Sequence, residues 1–250
     1  MAEPMTLAWR QYRLERKMFW RNPAAAFFNF FLPLLLLFLL GTLYADNQAN
    51  LDVLVPGIAG MSIMTTTFVA LAHNVVFLRE QGVLKRLRGT PMPTGSYLTG
   101  VFGNAVTNAA IQLTIVIVAG RLFYDIGWPK DWFELVVFSL AGVVCFAALG
   151  VAFSHAIPNF EATPAYVNAV FLPVIFISGV FYDAADAPKF LHDIAQALPL
   201  VHLIDGLSAA MVTGTSLADN LSNLAIVALW AAAGIVLAIR GFSWEARRDG

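Results

Sequence analysis

Six long apolar runs, joined by short charged connections, constrain this chain more than any other feature. They lie at about 24–44, 53–78, 96–123, 133–155, 164–182 and 221–240. Each is near the ~20 residues that a helix needs to cross the hydrocarbon core of a bilayer. Backbone N–H and C=O groups meet no water there, so each run must close its own hydrogen bonds as a helix. Charged residues make up 12% of the chain and apolar ones 59%, whereas soluble domains carry about 25% charge. The expected fold is therefore an all-α polytopic membrane protein, one transmembrane domain over 1–250 with little space for a soluble domain. The first run follows a charged segment and is too long for a signal-peptide core, so it reads as a retained span. The one cysteine, Cys145, sits in an apolar run and offers neither a disulfide nor a thiolate metal site within one chain.

Six spans place both termini on one side, and the basic residues choose which. Arg10, Arg13, Arg16, Lys17, Arg21, Arg79, Lys85, Arg86, Arg88, Arg240, Arg247 and Arg248 share the terminal side. Only Arg121, Lys130 and Lys189 lie opposite, among Asp46, Asp52, Asp125, Asp131, Asp183, Asp186, Asp193, Asp205 and Asp219. The positive-inside rule then makes both termini cytoplasmic in a multi-pass inner (plasma) membrane protein.

Residues 5–21 are expected to form an amphipathic interfacial helix. Met5, Ala8, Trp9, Tyr12, Phe19 and Trp20 share one face, and Arg10, Arg13, Lys17 and Arg21 the other. Arg16 is the misfit inside the apolar arc. Such a helix either anchors the first span or also touches a cytoplasmic partner. Asn22-Pro23 supplies the turn into the membrane. Residues 183–219 are too long for a bare turn. Leu198-Pro199-Leu200 breaks a short helix, and Val201–Val212 is apolar but short, which predicts an external, partly re-entrant segment packed on the bundle.

Several chemistries are excluded. There is no G-x-x-x-x-G-K-[ST] loop to cradle nucleotide phosphates and no H-E-x-x-H. The histidines His73, His155, His192 and His202 fall on different segments. Asp205-Gly206 has a faint likeness to the start of a phosphatidyl-alcohol transferase motif, but Ala210 stands where its arginine belongs. No catalytic residue, bound cofactor, metal or nucleic-acid partner is expected.

Polar residues within the spans say more. Asn104, Asn108 and Gln112 recur every four residues, with Thr107 beside them, so one face of the third span must look into protein or water. That face either holds the bundle together or lines a translocation path. Ser62, Thr65, Thr66 and Thr67 can bond their own helix, and His73 and Asn74 suit local capping or packing. In the fifth span Pro173 and Ser178-Gly179 predict a kinked or two-part helix, with Gly179 open to close approach. Phe171, Phe176 and Ser178 complete the candidate path, and Pro173 and Gly179 are candidate hinge or dimer contacts.

The stretch "FLREQGVLKRLRGTP" at 77–91 carries five of the chain's 31 charged residues. Placed as a helix over 79–89, it aligns Glu80, Val83, Leu84 and Leu87 on one face, with Arg79, Lys85, Arg86 and Arg88 around the rest. Gly89 and Pro91 stop it. A carboxylate in the apolar stripe suits a groove on a protein better than an anionic lipid surface, though a positive-inside anchor remains open.

The pattern from Arg79-Glu80 through Gly82, Leu84 and Leu87 to Thr90-Pro91 resembles the loop between spans two and three of ABC-2 type permeases. These are the membrane subunits of exporters that include the daunorubicin-resistance group. The stretch "LPVIFISGVFYDAADAPKFLHDIAQALPLVHLIDGL" is similar to their second recognisable region, with Ala210 departing where many members carry arginine. The resemblance implies that 79–89 is a coupling helix seated on a separate ABC ATP-binding subunit, which holds the ATP and Mg. Arg79, Glu80, Val83, Leu84 and Leu87 would make that contact, with Glu80 supplying a polar one. It further implies a second permease subunit, as homodimer or heterodimer with the first and fifth spans at the contact, surrounded by membrane lipids. The cargo would be a hydrophobic or amphipathic drug or lipid. A lipid-linked glycan is the alternative, and a non-transporting scaffold or sensor the reading from a different class.

Overall fold

The computed structural model describes residues 3–83, 86, 93–182 and 188–241, and every element in them is helical. Helix α1 spans Pro4–Arg21 and, after Asn22, gives way to α2, Pro23–Leu43. Next, α3 (Gln48–Met64), a π-helical turn (Thr65–Val69) and α4 (Ala70–Glu80) form one continuous rod. Helices α5 (Thr94–Tyr124), α6 (Trp132–Phe153) and α7 (Thr163–Ile177) follow. Two short helices, α8 (Lys189–Ala195) and α9 (Pro199–Ser208), precede α10 (Leu221–Gly241).

All six apolar runs are therefore helices, but they differ in reach. Four described stretches are long and apolar enough to cross a membrane: Gln48–Glu80, Gly95–Tyr124, Trp132–Phe153 and Leu221–Arg240. The apolar stretches Asn29–Leu43 and Thr163–Ile177 are shorter. Helices α8 and α9, with the π-turn Ala209–Thr213 that extends α9, pass the same test only as a pair bent by 87°. The bend falls at the expected Leu198-Pro199 break, because proline cannot continue the hydrogen bonding of α8.

The core is built around α3, whose residues from Leu54 to Met64 are all buried. Against it lie α9, α5, α2 and α6, and α6 packs lengthwise on α10. Leu200, Val201, Leu203, Ile204 and Leu207 of α9 are buried, so this segment is part of the core. It is tied down at several points: the Lys130 and Asp131 N–H groups donate to Ala210 O at 2.9 and 3.0 Å. His202 contacts Asn223 Oδ1 at 2.8 Å and Gln196 O at 2.9 Å.

Two local expectations are corrected. The helix expected over 79–89 is divided: Arg79 and Glu80 are the last turn of α4, and the chain turns at Gln81-Gly82, with Gly82 at φ 64°. Val83 and Arg86 are helical again, with Arg86 N–H on Gly82 O at 3.1 Å. Leu84, Lys85 and residues 87–92 lie outside the described residues. In the fifth run, α7 passes through Pro173 as one helix and ends at Ile177, so the break comes at Ser178-Gly179 (φ of Gly179, 71°). The close approach there belongs to Gly57 of α3, where a Cβ would sit 2.1 Å from Val180 O.

Helix α1 buries a polar face against the bundle. Ala8, Gln11 and Glu15 are its buried residues, while Met5, Trp9 and Trp20 stay exposed. The helix runs parallel to α5 for about 12 residues, roughly 18 Å. Ser96 Oγ donates to Pro4 O at 2.9 Å, Tyr12 meets Thr107 Oγ1 at 3.2 Å, and Arg16 meets Asn108.

Candidate functional site: a polar cavity and a clamped helix end

The basic end of the bundle carries two features with functional potential. The first is a cavity of about 180 Å³ enclosed by α1, α2, the π-turn, α4 and α5. Its polar lining is Glu15, Asn29, Thr66, Asn74, Asn104 and Asn108. Asn108 is buried, and its Oδ1 accepts from Arg16 Nη1 at 2.5 Å. Arg16 also lies over the Phe19 and Trp20 rings, 6.0 and 5.6 Å from their centroids. The residue that looked misplaced on the wheel is thus the one that joins α1 to the amide stripe of α5.

Glu15 is buried on the inner face of α1, and burial raises its carboxyl above the usual range. The Gln11 Nε2–H donated to its Oε1 at 2.8 Å opposes that rise. The polar part of the cavity wall is therefore mainly amide, with one carboxyl whose charge is disfavoured, and Met18, Phe19, Ala70, Leu71, Val101 and Ala105 complete the wall.

Of the six candidate path residues, Asn104 and Asn108 line this cavity. Gln112, one turn on, is fully buried, and neither of its amide atoms has a hydrogen-bond partner among the described residues. Asn104 Oδ1 is likewise unpartnered. The α7 group does not join them: Phe171 is buried, Phe176 is exposed, and Ser178 is buried with its Oγ unpartnered at the turn after α7. The hydroxyls of Ser62, Thr65, Thr66 and Thr67 donate to carbonyls three or four residues back, at 2.6–3.1 Å. This back-bonding coincides with the widening of the rod into a π-turn, a geometry that recurs at functional sites. His73 contacts Val69 O at 3.0 Å, a local bond, while Asn74 faces the cavity.

A second cavity, about 440 Å³, is apolar. Met64, Phe68, Phe146, Phe153, Val174 and Trp230 are among its walls.

The second feature is the end of α4. Arg79 is 5% exposed, unusual for arginine. Its Nη1 donates to Ser154 O at 3.2 Å and its Nη2 to Ile157 O at 2.5 Å. These carbonyls belong to the turn leaving α6, where the negative end of the helix dipole favours a cation. Beside them, burial and the Arg79 charge lower the His155 imidazole from its ordinary value. Glu80 is exposed, yet its Oε1 accepts the Phe160 N–H at 2.6 Å. Val83 packs on the small cluster of Leu78 and Tyr97. Of the five expected coupling residues, Arg79, Glu80 and Val83 contact their own chain, and Leu84 and Leu87 lie outside the described residues. Sequence reasoning missed the partners, Ser154, Ile157 and Phe160, because a carbonyl in a turn leaves no mark in side-chain chemistry.

At the opposite, acidic end, Asp131 Oδ1 caps α6 by accepting Glu134 N–H at 3.0 Å. Glu134 is fully buried and accepts from Asn220 Nδ2 at 3.0 Å.

Long apolar helices with ion-forming groups gathered at their ends define a multi-pass membrane protein. Comparison with known proteins agrees: a family model described as ABC-2 type transporter matches residues 5–212. The chain belongs to the ABC-2 type transporter family. It is similar to Nodulation protein J of Rhizobium meliloti (strain 1021), 27% identical over 169 residues, 67% of this chain and 64% of that protein. It is also similar to Inner membrane transport permease YadH of Escherichia coli (strain K12), 25% identical over 178 residues, 67% of this chain and 66% of that one. The chain thus spans just under two thirds of the length of these relatives.

Proposed function

We propose that this chain is the transmembrane subunit of an ABC exporter. It moves a hydrophobic or amphipathic compound, a drug or a lipid, using ATP hydrolysed on a separate nucleotide-binding subunit. The observation that carries the reading is the basic end of the bundle, where a hinge at Gly82 leads from a clamped helix into the segment "VLKRLRGTP". The skewed distribution of cations supports a cytoplasmic position for that end, with six crossings and both termini inside. Leu84 and Leu87 then present an apolar edge to the ATP-binding subunit. Helix α7, exposed at Leu172, Pro173 and Phe176, provides a face for a second permease subunit, identical or homologous. The amide lining of the 180 Å³ cavity favours as second reading a cargo with a hydroxyl-rich head, such as a lipid-linked glycan.

The test is ATP-driven movement of a fluorescent short-chain phospholipid, and of a fluorescent glycolipid, in liposomes holding the permease with its co-purified ATPase. Movement of either probe that stops when ATP is omitted supports export. A complex that hydrolyses ATP without moving either leaves the scaffold or sensor reading in its place.

A further inference from the structure

We propose that Arg79 and Glu80 are positioning residues that lock the turn between α6 and α7 to the end of α4. Displacement of the segment after Gly82 then reaches α7 directly. The inference rests on the transporter reading above and adds the route by which force leaves the coupling segment.

Two neighbouring side chains on one helical turn grip the connection at both its ends. Arg79 holds Ser154 O and Ile157 O, where α6 finishes. Glu80 holds the Phe160 N–H, three residues before α7 begins. Phe160 is further held by the rings of Phe77 and His73, with centroids 5.5 and 6.5 Å away. Among the described elements α7 packs chiefly on α4 and α8, with Val167, Phe171 and Ile175 reaching the buried core. The next residues differ in kind. Gly82 adopts φ 64°, and a Cβ there would meet nothing within 4 Å, so its conformation, and not crowding, calls for glycine. The grip lies immediately before the turn at Gly82, so a push arriving there meets the end of α4 and the α6–α7 connection together.

The decisive comparison is Glu80→Gln against Glu80→Ala. Both remove the charge, so any contact that a partner makes with that charge is lost equally. Only glutamine keeps an oxygen to accept the Phe160 N–H. The permease is purified with its ATP-binding subunit, and amide exchange over 154–177 is measured with and without ATP and vanadate. In the wild type and in Glu80→Gln, trapping is expected to change exchange across this stretch. In Glu80→Ala that change should vanish, and Phe160 N–H protection should fall about tenfold or more, as for a lost charge-assisted bond. Arg79→Lys, which keeps the charge but not the two-pronged reach, should behave like Glu80→Ala. A nucleotide-dependent change that survives in Glu80→Ala overturns the clamp, as does Glu80→Gln failing together with Glu80→Ala. Wild-type permease that binds no ATPase overturns the transporter reading itself, a distinct result.

Discussion

The bond between Arg16 and Asn108 offers the sharpest test of how α1 is held. Arg16 makes a charge-assisted hydrogen bond to a buried amide and lies over two aromatic rings. A hydrogen bond to a charged group contributes about 1.5–3 kcal/mol, and each partly exposed cation–π contact about 0.5–1 kcal/mol. Arg16→Met keeps the apolar stem and removes the charge, so it should cost about 2.5–5 kcal/mol. Asn108→Leu removes only the shared bond, and the double variant should cost less than the sum of the two. The expected coupling energy is about 1.5–3 kcal/mol. It can be read from SDS-driven unfolding of the purified chain in bicelles, followed by tryptophan fluorescence. Additivity within about 0.5 kcal/mol would refute the idea that this pair docks α1 on α5.

Four further outcomes follow from the packing and burial. Gly57→Ala forces a methyl to within 2.1 Å of Val180 O and should cost about 1–3 kcal/mol or more. Gly127→Ala, with nothing within 4 Å, should stay within about 0.5 kcal/mol in the same unfolding assay. Burial raises the Glu15 pKa above 4.5, so ionisation weakens the fold. The stability tied to its neutral form is whole below the unfolded value and is lost as pH climbs through the raised one. Glu15→Gln should therefore melt above the wild type at pH 7.5, with the gap closing as pH falls towards about 4.5; a gap independent of pH contradicts this. Gln112→Met removes a buried amide without partners and should stabilise the chain by about 1–3 kcal/mol. The same change should lower the transport rate if the α5 stripe carries cargo, and a drop in stability would show that the amide is satisfied after all.

The helices were legible because twenty apolar residues in a bilayer have one hydrogen-bonding solution. The stripe of Asn104, Asn108 and Gln112 was legible for a related reason: its four-residue spacing and the cost of an amide in lipid both demand an inward face. The bend at Leu198-Pro199 announced itself through proline. What stayed hidden were contacts that lie beyond a helical wheel. The wheel of α1 separates an aromatic face from a basic one, but does not show that Gln11 and Glu15 are buried, because α5 supplies the amides and hydroxyls near them. Arg79 and Glu80 looked like surface charges of a coupling helix, and their partners lie 75–80 residues further along. The glycine at 82, inside the expected helix, was the available sign that α4 ends at Glu80.

The central claim, that the segment beyond Gly82 joins this bundle to an ATP-hydrolysing subunit, is tested most directly by co-purification. The tagged chain is isolated from its own membranes in mild detergent, as wild type and as Leu84→Asp with Leu87→Asp, and ATPase activity in the eluate is measured. ATPase activity that elutes with the wild type and is lost from the double variant is the expected result. Activity absent from the wild type, or retained equally by both, would contradict it.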